Sequence, residues 1–341
     1  MFMSVKSRLI NSAGQPEFGL FPSGVSEINY LDYDLRSPMG RKLSAWSKKF
    51  KFNQFQFVAL VSPELIVGIA IVDLKLVSNA FVYLYRPADG AFDEFSFVQP
   101  LALSTSIGLY PNNSEAVFRK GDNSIAIIAD ESAMQRRVCV SLSAGVEIDA
   151  LIDESHCAPL AMCSRAGYQG WVYTQKTAAL PCLGRVIWQG ETRDLAAMNT
   201  LASVDWTAGY MRGETFWNWA SLSATLADGR RLGLNLAAGV NETGFTENAL
   251  WLDDQLIKVD TVDFQFSRYQ PESEWRVRSA DGIVDLRFTP AGQRKEKLNA
   301  LLIASNFTQH FGVFQGQIRL ENEVIEIQQQ WGFAEDHYAR W

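Results

Sequence analysis

The segment 275–288, WRVRSADGIVDLRF, is a hairpin whose register can be set on paper. Asp281-Gly282 suits a two-residue turn, because such turns need residues that tolerate positive φ. That turn places Trp275 opposite Phe288 and Val277 opposite Leu286. It also places Arg278 opposite Asp285. An apolar face and an ion-paired face separate, as a half-buried antiparallel pair requires. Arg276 then faces Arg287, a mild conflict that solvent can screen.

The same punctuation runs along the chain. Residues 54–61 alternate, with Phe55, Phe57, Ala59 and Val61 on one face and Gln54 and Gln56 on the other. Ser62-Pro63 then turns the chain into an apolar run over 65–77. Further turns are expected at Asp89-Gly90, Gly121-Asp122, Ala144-Gly145, Asp228-Gly229, Asp253-Asp254 and Asn322. Strands at this density describe an all-β protein, an antiparallel meander closing into barrels. Short helices are expected only over 193–201 and 293–302. The length of 341 residues favours two domains. The expected division is 1–190, a β-barrel-like domain, and 191–341, a second one.

Composition excludes several classes. The net charge of −7 is the opposite of a phosphate-tracking surface, so no nucleic acid is expected as partner. One basic run, Arg41, Lys42, Lys48, Lys49 and Lys51, reads as a solvated edge. No apolar run reaches the length of a membrane span, and the start lacks a signal-peptide core. The four cysteines have no zinc-site spacing and read as small hydrophobes, so a reduced, cytoplasmic setting is expected. No dinucleotide, phosphate-loop, metal or hydrolase motif occurs, so no cofactor and no metal are expected. Oligomeric state is left open.

The candidate site lies in 205–219, DWTAGYMRGETFWNW. Trp206, Trp217 and Trp219 alternate there with Asp205, Arg212 and Glu214. Thr215, Trp217, Trp219 and Ser221 share a strand face. A two-residue turn at Asp228-Gly229 would add Leu232, Leu234 and Leu236 to it. Two readings stay open: a pocket walled by indoles and leucines for a hydrophobic small molecule, or a filled core. Arg212, Asn248 and Trp251 join the three tryptophans as expected ligand-binding residues. Asp205 and Glu247 are the candidate acids, since a carboxyl buried against indoles can donate a proton near neutral pH. Glu335-Asp336-His337 reads as surface ion pairing, because adjacent strand residues point to opposite faces. Gly312 and Gly316 read as bends in a strand.

The run from Asp205-Trp206-Thr207 through Gly209, Arg212, Thr215, Trp217 and Trp219-Ala220 resembles the bacterial family called domain of unknown function 2804. Gln175-Lys176, Gly184, Gly233-Leu-Asn235, Glu247-Asn248, Phe311-Gly312, Gly316, Glu335-Asp336 and Arg340-Trp341 extend the resemblance over most of the chain. It implies two lipocalin-like, calycin-type barrels, similar to carotenoid 1,2-hydratases and tocopherol cyclases. That architecture implies a carrier of a hydrophobic ligand, or a cofactor-independent hydratase, cyclase or isomerase. A structural or partner-binding protein with filled barrels is the remaining class.

Overall fold

A computed structural model describes residues 6–240, 244–300 and 303–340. Trp341, the last residue of the resemblance, lies outside them. The chain is nearly all-β and forms two curled, lipocalin-like antiparallel half-barrels. The first sheet runs from Ala91–Pro100 through Val77–Arg86, Ile66–Asp73 and Asn53–Val61 to Leu201–Gly209. It continues through the long strand Gly170–Trp188 and ends at Thr105–Ile107. The second sheet is centred on Glu214–Thr225, Val324–Arg340, Ile303–Arg319 and Val284–Ala300. Among the described residues no helix is long and apolar enough to cross a membrane.

The 275–288 hairpin has the register read from the sequence: Trp275 opposite Phe288, Val277 opposite Leu286, Arg278 opposite Asp285. The four apolar side chains are buried. The Arg276–Arg287 conflict is relieved by acids: Asp285 lies 3.3 Å from Arg276, and Glu274 lies 3.6 Å from Arg287.

Four expectations need correction. The Asp228-Gly229 hairpin has a three-residue loop, closed by Leu226 N–H to Arg230 O, so Thr225 pairs with Arg231. One extra loop residue slips the register by one and moves every leucine to the other face. Leu232, Leu234 and Leu236 therefore face the second core beside Ala220, Leu222 and Ala224. The tryptophan face instead receives Asn235 and Ala237.

Among the described residues the expected helices are absent as well. Described residues of 293–302 continue the strand Val284–Ala300, and Arg193 belongs to Glu191–Asp194. Among the described residues the α-helix is Ala45–Lys51, capped by Ser44, whose hydroxyl accepts from Ser47 N–H. Its Lys48 is buried and donates to Leu31 O at 2.8 Å, so the basic run is not wholly a solvated edge.

The division expected at residue 190 falls inside the first sheet. Both Glu191–Asp194 and Leu201–Gly209 pair with Gly170–Trp188. The second sheet starts at Glu214, so we place the division in the 210–213 connection.

Three cores result. Phe118, Trp171, Trp188 and Trp206 belong to the first half, and Leu222, Leu234, Trp275 and Phe288 to the second. A third core lies between the sheets, joining Phe57, Tyr83 and Tyr85 to Trp219, Phe311 and Phe333. This seam explains why Leu201–Gly209 is buried along its whole length: one face serves its own barrel and the other the seam. At the seam, a bulge between Thr177 and Leu180 turns Ala179 N–H onto Ser223 Oγ at 2.9 Å, tying the halves together.

Candidate functional site at the seam between the sheets

Strand alternation builds a stripe on the second sheet. Phe333, Glu335 and His337 lie on one face of Val324–Arg340. Trp219 pairs with Glu335 and Trp217 with His337 on one side, and Gln309 and Phe307 pair with the same two residues on the other. The stripe is apolar at Trp219, which is edge-on to Phe57 and stacked on Phe333. It becomes polar toward Trp217, His337 and Ser305.

Glu335 is the centre of the polar part. Its Oε1 accepts from Trp217 Nε1 at 2.6 Å and its Oε2 from Gln309 Nε2 at 2.9 Å. The Tyr83 hydroxyl, from the first sheet, donates to Gln309 Oε1. Burial pushes the Glu335 carboxyl up to about 7, although the bonds from Trp217 and Gln309 and the charges of Arg294 and Lys176 favour the ionised form. Desolvation therefore wins, and the group changes charge near neutral pH.

His337 stands beside it. Its Nε2 lies 3.1 Å from Ser305 Oγ, and its Nδ1, 4.0 Å from Glu335 Oε1, is buried without a hydrogen-bond partner. Burial lowers the imidazole to about 3, so the ring is neutral. It meets Trp217 and Phe307 edge-on. Arg294 closes this side, its guanidinium 3.9 Å from the centre of Phe81 and 2.8 Å from Glu94.

A second buried cluster crosses the same seam. Lys176 Nζ lies 2.8 Å from Asp205 Oδ2 and 3.0 Å from Glu247 Oε2. Thr207 donates to Asp205 Oδ1 at 2.9 Å. Burial alone would lower the Lys176 ammonium, but the two carboxylates outweigh it and its pKa is raised. Burial raises Asp205 against the pull of Lys176.

The expected site residues thus separate. Asp205 and Glu247 come together, but around Lys176. Trp206 points the opposite way from Asp205, into the first core against Tyr173. Trp217 binds Glu335, and Trp219 Nε1 donates to Asn235 Oδ1 at 2.8 Å. Asn248 is buried, accepting from Ala237 N–H and donating to Asp260 O. Trp251 bonds Ala158 O at 2.8 Å within a satellite cluster with Leu160 and Ala178. Arg212 lies on the connection beside Gly167.

The reading of Glu335-Asp336-His337 as surface ion pairing fails for Glu335 and His337, which share one strand face and are largely buried. The spacing of two within that run was the available signal, since it puts the outer pair on one face. Asp336 does point away, to Arg268 at 2.6 Å and Asn218 at 3.0 Å.

Among the described residues no group of three His, Cys, Asp or Glu is placed to hold a metal ion. Surface depressions beside Phe245 and Lys258, and across Arg276, Arg287 and Gln315, lie away from Glu335.

A family model described as "Domain of unknown function (DUF2804)" matches residues 3–341. No curated protein matches the sequence. Among solved structures, kievitone hydratase from Nectria haematococca is 12% identical, with 84% of this chain and 88% of that one covered at a TM-score of 0.53. CghA is 10% identical, with 97% and 96% covered at a TM-score of 0.57. CghA with Sch210972 is 9% identical, with 93% and 94% covered at a TM-score of 0.54. At these identities the likeness is one of fold.

Proposed function

The chain belongs to the family called domain of unknown function DUF2804, and we propose that it binds a hydrophobic small molecule at the seam and exchanges a proton with it through Glu335. The observation that carries this reading is a fully buried carboxyl, raised to about 7, held by an indole and an amide between aromatic walls. Such a group is half-protonated near neutral pH, where a general acid works best. Kievitone hydratase, similar in fold, is named as a hydratase, which supports proton transfer without extending its substrate to this chain.

In the reaction we infer, the Glu335 proton passes to one carbon of a double bond. The developing cation is stabilised by the negative faces of nearby rings. Either water adds at the cationic carbon and gives a proton back to the Glu335 carboxylate, or a neighbouring carbon loses that proton and the bond shifts. Both routes return the acid to its starting state. Entry is expected from the side of Trp217 and Phe307, which are half-buried. Asp205 and Glu247, held on Lys176, fit a structural role better than that of donor.

Native mass spectrometry should first identify a co-purified lipid or isoprenoid. With that ligand, Glu335→Gln is expected to bind as the parent does and lose turnover, because only the transition state needs the proton. Turnover retained by the variant would remove Glu335 from the chemistry. A parent that binds without turnover would leave a carrier.

A further inference from the structure

The helix Ala45–Lys51 turns an unusual face to solvent. Trp46 is 70% exposed and Phe50 41%, with their rings stacked at 6.0 Å. Lys49 Nζ lies 5.8 Å over the Trp46 ring. Met39 is 90% exposed, Leu31 48% and Tyr168 80%. These residues share one end of the molecule. Lys48 from the helix bonds Leu31 O, and Met39 lies in the loop closed by the Arg36–Lys42 bridge. Tyr33 donates to Gln169 O, next to Tyr168.

The exposure is not a loose end. Ser44 caps the helix, Lys48 anchors its inner side, and Phe52 stacks on Tyr30 at 3.9 Å within the first core. A firm scaffold therefore holds apolar side chains in water, which is the mark of an interaction surface.

The charge around them identifies the partner. Residues 30–51 carry six basic residues and two acids, in a chain of net charge −7. Arg41, Lys49 and Lys51 are exposed, and Arg36 and Lys42 share Asp34. We propose that this end docks on an anionic lipid surface. Trp46, Phe50, Met39 and Leu31 would sit at the headgroup boundary, with the basic residues on lipid phosphates. Tryptophan beside lysine is the side-chain chemistry of that boundary. Single-stranded nucleic acid fits less well, because exposed methionine and leucine offer bases nothing to stack on.

Vesicle co-sedimentation of the full chain tests this, with phosphatidylcholine alone and with added phosphatidylserine. Binding is expected only to the anionic vesicles and should fall as salt rises. A basic residue near such a surface contributes about fivefold in affinity, so Lys49→Glu with Lys51→Glu should weaken binding by at least about 25-fold. Trp46→Ser with Phe50→Ser should weaken it comparably at unchanged urea midpoint, since both rings are outside the cores. Equal binding by the charge variant, or by neutral vesicles, would overturn the proposal. So would binding to a single-stranded oligonucleotide instead of vesicles, or a dimer abolished by the aromatic variant in a protein that ignores vesicles.

Discussion

Glu335 shows how one residue can be set by its surroundings rather than by its type. A carboxyl on a strand face normally ionises near 4.5, but here burial holds it up to about 7. The shift makes a stability statement. Below pH 4.5 the group is protonated in both folded and unfolded chains. Between 4.5 and 7 the unfolded chain gives up its proton and the folded one keeps it, so stability present at low pH is lost as pH rises through about 7. The full shift corresponds to about 3 kcal/mol. Glu335→Gln should remove this slope. Urea midpoints of parent and variant, measured from pH 4.5 to 8, should diverge, with the parent losing ground as pH rises; parallel curves would mean that Glu335 ionises freely. The neighbours can follow the proton, because Gln309 can turn its amide to accept from a protonated Oε2 while Tyr83 accepts in turn.

At the scale of elements, turn length decided what could be read from the sequence. Asp281-Gly282 and Asp228-Gly229 are the same dipeptide. The first lies in a four-residue loop, 280–283, closed by Gly282 N–H to Ser279 O, which keeps the register that a two-residue turn would give. The second sits in a loop of three, which moves the leucines off the face of Trp217 and Trp219 where a two-residue turn would have placed them. The strand through Arg294 and Glu296 reads as helical from the sequence because long charged side chains suit both periods. Only a neighbouring sheet reveals that Arg294 is buried between Phe81 and Phe307. Gly316, a bend in the sequence reading, has φ +135 at a bulge, and a Cβ there would come within 2.3 Å of Asp285 O. Gly316→Ala should therefore cost about 1–3 kcal/mol or more, from backbone strain plus the clash. A urea midpoint unchanged by that substitution would show that the bulge can relax.

The whole molecule is organised by the seam, and this is what the sequence could least disclose. Period-two patterning shows which residues share a face, but not that a second sheet will cover the face presumed outer. Hence Trp219, which the sequence places inside one barrel, packs with Phe311 and Phe333 at the junction of two. The junction also carries ionic ties, with Lys176 and Asp205 from the first half meeting Glu247 from the second. A seam that buries aromatic rings and a charged cluster together should make the halves unfold as one unit. Far-UV circular dichroism and tryptophan fluorescence should then report a single coincident urea transition. Lys176→Met tests the coupling, because it leaves two buried carboxylates without their cation. Breaking a buried pair in this way costs about 3–5 kcal/mol. The loss should appear equally in both probes, since neither half can keep its stability once the seam is weakened. Two separated transitions, with only one moved by the substitution, would show that the half-barrels are independent and that the seam adds little to either.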